Sequence, residues 1–258
     1  MNENVWMQHL TWEEVKSGIE ESHATIILPV GSTEQHGPHL PVGTDTMVAT
    51  GIAEAAAGEA GVLVAPPLWF GWSPHHMVLP GTITIRPEIL IEVAYDMVES
   101  LHRHGFDKFI FVNGHRIVNI AWLQIAGERA KRQLGVKVAL FDPAYMSKSF
   151  VREMGWGEVG HAEEIEGSHM WHLYPDLVKM ERAVDHPHTP APLYHVDPAY
   201  PEDTLCYVPS SPAEQEVLAK ASGGTGGMPS KASREEGARY HAHLVKRLVE
   251  VVQMMQGG

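Results

Sequence analysis

Sulfur chemistry is nearly missing from this chain: one cysteine, Cys206, stands among 258 residues. A single thiol excludes an intrachain disulfide and a thiolate metal cluster. Nothing beside Cys206 would activate it, so it reads as a packing residue. No apolar run approaches the roughly 20 residues that a membrane helix needs. The opening MNENVWMQHLTWEEV has neither a basic cluster nor an apolar core, so no export signal and a cytoplasmic location are expected. Positive charge is scarce as well. Nineteen Lys and Arg face 32 Asp and Glu, a formal net charge of -13. So acidic a surface repels phosphate backbones, which argues against nucleic acid as a partner.

Histidine is abundant, with 17 residues. It is the commonest metal ligand and the usual acid or base at neutral pH, but only clustering with carboxylates gives the number meaning. No long repeat or low-complexity tract is visible. Apolar runs alternate with amphipathic stretches. Strands are expected at 24–30, 62–66, 109–112 and 136–141, and helices at 46–57, 87–104, 119–134, 162–174 and 231–255. The proline-rich stretch 185–213 reads as an ordered, irregular excursion, and 223–227 as a loop. This alternation predicts a single α/β domain over 1–258, with a central, mostly parallel sheet flanked by helices.

The sharpest segment runs Gly31-Ser-Thr-Glu34-Gln-His36-Gly-Pro-His39-Leu-Pro-Val-Gly-Thr-Asp45. It begins where the first strand ends, the edge at which open α/β sheets bind ligands. Glu34 and His36 are two apart, so in extended backbone they leave on one side. Asp45 follows where a helix should start. Carboxylate oxygen mixed with imidazole nitrogen suits a divalent cation. The plainer alternative makes Glu34 a surface loop residue and Asp45 a helix cap.

A second apolar strand leads into Asn113-Gly114-His115, which puts His115 on the same sheet edge; an exposed histidine after an Asn-Gly turn is the alternative. The third segment is His161-Ala-Glu163-Glu164-Ile-Glu166-Gly-Ser168. Glu166, Met170, Leu173 and Leu177 share one helical stripe, so Glu166 faces inward. A charge there is costly unless paired or ligating, although a favourable place near a helix N-terminus would also account for it. Glu163 and Glu164 point elsewhere, as solvated residues or polar partners. His161 precedes the helix, as a proton shuttle or as a structural histidine. Ser73, His76 and Thr82, in the loops around Pro80-Gly81, are candidate substrate contacts.

These residues resemble the creatininase (creatinine amidohydrolase) family. The likeness runs from about residue 8 to residue 240 and rests on GSTEQHGPHLPVGTDT, FVNGH and HAEEIEGS. It implies an α/β fold, a two-metal centre of zinc or manganese, and a homohexamer. It implies Glu34, His36, Asp45 and His115 as ligands, with Asp45 bridging. The sequence also departs from the family. Arg116 and Ile117 stand where creatininase has a tyrosine and a ligating glutamate, Asn119 comes one residue late, and Glu163 and Gly167 replace a glycine and a threonine. The missing glutamate leaves one ion short of a ligand, and Glu166 is the expected replacement. Arg116 suits an anionic or carbonyl-bearing substrate.

The expectation is therefore a dinuclear hydrolase, carrying two Zn2+ or Mn2+ ions per subunit, that opens a small cyclic amide. The same centre would also serve a cyclic ketone of inositol catabolism, a lactone, a formamide or a peptide. A non-catalytic scaffold that keeps the fold is the reading from another class. A small-molecule substrate and a homo-oligomer are the expected partners, with no membrane.

Overall fold

The structure is a computed structural model, and it describes residues 4–187, 197–200 and 209–257. Cys206 and parts of the proline-rich excursion lie outside the described residues. The elements in chain order are α1 (Trp12–Glu21), β1 (Thr25–Val30), α2 (Thr44–Ala60), β2 (Leu63–Val64), α3 (Pro87–Arg103), β3 (Lys108–Asn113), α4 (Ile120–Leu134), β4 (Lys137–Phe141), α5 (Pro143–Met146), α6 (Lys148–Met154), α7 (Glu164–Leu173), α8 (Pro212–Ser222) and α9 (Arg234–Gly257).

Among the described residues the strands form one sheet, ordered β2-β1-β3-β4, with every pairing parallel. β1 is buried along its whole length, as a strand covered on both faces must be, and so it reads as an unbroken apolar run. Its side chains alternate between two cores. Ile26, Leu28 and Val30 join Phe109 and Phe111 under α3 and α4, against Leu90, Ala94, Trp122 and Leu123. Ile27, Ile110, Val112 and Phe141 face α2 and α9, against Ile52, Ala56, Leu244 and Leu248. The result is a three-layer α/β/α arrangement.

The order of the strands decides where a ligand can sit. From β1 the chain passes to β2 on one side, then crosses through α3 to β3 on the other. The direction of winding therefore reverses between β1 and β3. Crevices at such switch points, beyond the carboxyl ends of the strands, are where open α/β sheets bind ligands. Val30 pairs with Asn113, so both strands end level. The loops carrying Glu34, His36 and His115 start side by side.

Several expected boundaries shift for local reasons. β1 begins at Thr25 because Ala24 has a positive φ of 58°. β2 stops at Val64, just ahead of the Pro66-Pro67 pair, which has no N–H to give to a ladder. α7 begins at Glu164, after Ala162 with φ 52°, and ends at Leu173, before Pro175. Leu177 thus leaves the expected stripe. It lies in a separate 3-10 turn and is 46% exposed. α1 and α8 were not expected. No helix among the described residues is long and apolar enough to cross a membrane.

Candidate metal centre

Three segments converge at the β1–β3 switch point. The first brings Glu34, His36 and Asp45, all buried. Asp45 is not the cap of α2. The N-cap is Gly43, which makes no side-chain bond, and Asp45 sits in the first helical turn with its carboxylate turned to the site. The positive end of the helix dipole favours an anion there. His36 donates Nδ1–H to the Glu34 carbonyl (3.1 Å), a bond that fixes the tautomer and leaves Nε2 as an electron-pair donor. That nitrogen lies 3.1 Å from Asp45 Oδ1 and 3.6 Å from Glu166 Oε2.

The second segment brings His115, with Nδ1 3.1 Å from Asp45 Oδ2 and Nε2 3.4 Å from Glu34 Oε2. Asp142, at the end of β4, holds the turn around it. One Asp142 oxygen accepts from Asn113 Nδ2 (2.8 Å) and Ile117 N–H (2.7 Å), and the other from Ala144 N–H (2.9 Å). Ile117 is a β-branched residue at φ 68°, a costly conformation that the Asp142 bond helps to maintain. The third segment brings Glu166 and His161. Glu166 Oε2 accepts the Ala162 N–H at 2.7 Å. His161 Nε2–H donates to the Gln35 carbonyl at 2.6 Å, so its Nδ1 lone pair faces Glu34 Oε1 at 3.6 Å.

The donor atoms meet a chemical test for cations. Both Glu34 carboxylate oxygens, His36 Nε2 and Asp45 Oδ2 are buried without a hydrogen-bond partner. Such groups are costly unless a cation or proton joins them. Three trios bring their donor atoms within 4.8 Å of one another: Glu34–Asp45–His115, His36–Asp45–Glu166 and Glu34–His36–His161. Asp45 belongs to the first two, Glu34 to the first and third, and His36 to the last two.

Electrostatics tell the same story for the metal-free site. Burial pushes the Glu34 carboxyl up to about 7. Burial also works against charging His36 and His115, but the surrounding carboxylates outweigh it and push them up to about 10 and about 9. Against burial, the two histidines hold Asp45 well below the usual carboxylate range. Burial and the neighbouring His36 hold His161 well below its ordinary value, so it is neutral at pH 7.

A cavity of about 280 Å³ opens above these residues. Its floor holds Glu34, Asp45, His115, Arg116 and Glu166, and His75, His76 and His161 line one side. Val78, Val118, Val159, Leu218 and Ala219 give it an apolar wall. Ser73 and Thr82 are not among the lining residues. Ser73 is fully buried behind His115, with Oγ 3.4 Å from its Nε2 and 2.6 Å from Ser32 Oγ. Thr82 Oγ1 accepts from Gln35 N–H (3.0 Å) and donates to the His76 carbonyl (2.9 Å), tying the two loops together. Glu163 and Glu164 are buried rather than solvated. Glu164 accepts from the N–H groups of Gly157 and Met228, both at 2.9 Å.

The family model for creatinine amidohydrolase matches residues 8–252. This chain belongs to the creatininase family. It is 31% identical to creatinine amidohydrolase of Pseudomonas putida over 223 residues, 79% of this chain and 85% of that protein. It is 32% identical over 202 residues to 3-dehydro-scyllo-inosose hydrolase of Thermotoga maritima, covering 76% of this chain and 65% of that one. A mutant creatininase complexed with creatine superposes with a TM-score of 0.79 at 28% identity, over 97% of this chain and 98% of that one. Among similar creatininase structures, one is of Zn-Zn type and another is a Mn creatininase. The chain is accordingly a hydrolase with the creatininase fold and residues suited to metal binding.

The family motifs do not account for everything in the site. Gln35, His75 and Asp142 were not singled out from the sequence. Gln35 lay inside the first motif without an assigned role, yet its Nε2 donates to His76 Nδ1 (2.9 Å) and to the Gly224 carbonyl (3.2 Å). His75 stacks on His115 at 5.9 Å between ring centroids. Asp142 carried the same signal as Glu34, a carboxylate just past an apolar strand.

Proposed function

We propose that this creatininase-family hydrolase holds two divalent cations, zinc or manganese, and opens a small cyclic amide at its C–N bond. Glu34, Asp45 and His115 would hold one ion; His36, Asp45 and Glu166 would hold the other, with Asp45 shared. The observation that carries the reading is the convergence of the buried, unpartnered atoms of Glu34, His36 and Asp45 with His115 and Glu166 beside a cavity. Bound there, such ions supply a Lewis acid for a carbonyl and bring the pKa of water near neutrality.

The chain's own residues do the rest. His161 keeps Nε2–H on the Gln35 carbonyl, so Nδ1 faces the site as a neutral base. It can take a proton from the attacking water and deliver it to the departing nitrogen as the C–N bond breaks. Ser73 and Thr82 act from behind the wall, orienting His115 and the Gln35 loop; His76 lines the cavity directly, and Arg116 closes its floor. The apolar wall shelters hydrocarbon, and Gln35, Ser210, Gln215 and Thr225 offer polar groups in the same cavity. A homo-oligomer and a cytoplasmic setting belong to the same proposal; exposed Val42, Trp69, Phe70 and Ile83 supply apolar surface for self-association.

The test is a substrate panel of cyclic amides, lactones and oxidised inositols, run on protein loaded with Zn2+ or Mn2+ in 18O-labelled water. A ring-opened product with a free amine and a carboxylate carrying one labelled oxygen is expected. Turnover confined to inositol ketones would replace the amide reading. A folded protein that binds no metal and turns over nothing would be a scaffold.

A further inference from the structure

Arg116 lies between two carboxylates. Its Nη2 is 2.7 and 2.9 Å from the two oxygens of Glu163 and 2.7 Å from Glu166 Oε1, and its Nε is 3.1 Å from that same Oε1. The Arg116 side chain is only 6% exposed, and both glutamates are buried. Glu166 is thus engaged from two sides. Oε1 faces the guanidinium, while Oε2 accepts the Ala162 N–H and faces His36 Nε2. Nε and Nη2 are thus engaged by the glutamates, while Nη1 is buried without a hydrogen-bond partner beside the cavity that Arg116 lines.

The outer partner, Glu163, has an electrostatic meaning. Arg116 with Glu166 alone would be a neutral pair, and Glu166 would then have little net charge to offer a cation. Glu163 accepts from the guanidinium with both oxygens, and with all three groups ionised the set carries one negative charge. The orientation follows from chemistry too. A glutamate carboxylate turns about a broad, roughly two-fold terminal torsion. A planar guanidinium that stays protonated in a protein can aim Nε–H at Oε1 with Nη2 close to the same oxygen, and so resist that rotation; an ammonium is a point charge and cannot do so as well. Stability alone is a poor reason for the arrangement, since the cost of desolvating buried ion pairs offsets most of their attraction.

We propose that Arg116 is a positioning residue for the second cation site: anchored by Glu163, it fixes Glu166 with Oε2 turned toward His36 and Asp45. The proposal rests on the two-ion reading above and assigns a role to two residues that touch neither ion. It predicts that metal affinity, more than substrate affinity, depends on Arg116.

The experiment titrates Mn2+, and separately Zn2+, into chelator-stripped full-length protein by calorimetry, with metal content confirmed by elemental analysis. The double variant Arg116→Gln/Glu163→Gln removes one charge of each sign, so the net charge of the site is preserved. The second binding event should weaken about 10- to 100-fold, the usual cost of losing an outer-shell partner, while the first is unchanged. Arg116→Lys keeps the charge without the fork and should weaken the same event. It also serves as the folded variant if the double one is insoluble. Two unaltered binding events in either folded variant overturn the proposal and leave the two-ion reading intact. A single binding event in the wild-type protein overturns both.

Discussion

Gly114 and Asp45 approach so closely that a Cβ on Gly114 would lie 1.8 Å from the Asp45 carbonyl oxygen. The end of β3 is pressed against the first turn of α2, and only a residue without a side chain allows it. Gly114→Ala must push the two elements apart in a packed interior. Its cost should be about 3 kcal/mol or more, a size reserved for such mechanisms. Denaturant unfolding measures it; a loss below about 1 kcal/mol, the ordinary mutational mean, would show that the contact relaxes freely.

Asp45 stands in two of the three donor trios and caps no helix. Asp45→Asn should keep the fold, lose most bound metal and lower turnover by at least about a hundredfold, since both sites lose a charged ligand. Elemental analysis of the purified variant decides the matter. Full metal content would remove Asp45 from its shared role.

Glu166→Gln tests the second site alone. Metal stoichiometry should fall toward one ion per subunit, with the helix intact by circular dichroism and most turnover lost. Should the variant retain two ions at unchanged affinity, Glu166 is a general base or a structural residue of α7.

Stripping the metal should make stability depend on pH in a particular direction. The folded protein holds a proton on Glu34 up to about pH 7, against 4.5 for the ordinary group, so folded molecules bind more protons than unfolded ones between those values. His115 and His36, raised to about 9 and about 10, contribute stability that is full below 6.5 and is lost as pH climbs through those values. All three therefore make the metal-free protein less stable as pH rises from about 5 to about 10. Added Mn2+ or Zn2+ should flatten that slope and raise stability by about 2.7 kcal/mol at a hundredfold excess over Kd. Melting temperatures across this range, with and without EDTA, provide the check. Superimposable curves would mean that no cation replaces these protons.

A second pH response belongs to α7 and α9. His169 Nε2 and His241 Nδ1 are 3.0 Å apart and share one proton. Burial, and then the neighbouring His172, bring His241 down to about 4, and burial holds His169 well below its ordinary value. Stability from this pair is present above 6.5 and is lost as pH falls toward 4. His241→Gln should flatten the acid limb of the melting curve between pH 6.5 and 4.5 and leave metal content unchanged. An acid limb as steep as that of the wild type would show that the pair stays neutral or titrates unopposed.

Much of this architecture was readable before the fold was seen, because β1, β3 and β4 are short apolar runs and α3 and α4 are strongly periodic. α1 and α8 escaped, although both open with a capping box, Thr11 with Glu14 and Ser211 with Glu214. The apolar stripe of α8 is weak, whereas Trp12, Val15 and Ile19 give α1 a helical spacing as clear as that of α3, a signal the sequence carries beside its cap. Glu34, His36 and Asp45 were legible because one loop carries all three. The bond between Arg116 and Glu163 was not, because no local pattern reports a contact between a strand-end loop and the approach to a distant helix. Leu177 was misplaced because the stripe was carried past Pro175, which ends the helix.

The placement of donors at the ends of β1 and β3 also bears on how the protein is made. A chain leaving the ribosome presents Glu34, His36 and Asp45 first, and His115 and Glu166 only after β3 and α7 have been synthesised. Until β3 pairs with β1, the early donors belong to an incomplete set with no fixed geometry, and a preformed site rarely exists in an unfolded chain. On the two-ion reading, loading with metal is therefore a late event in the life of each molecule.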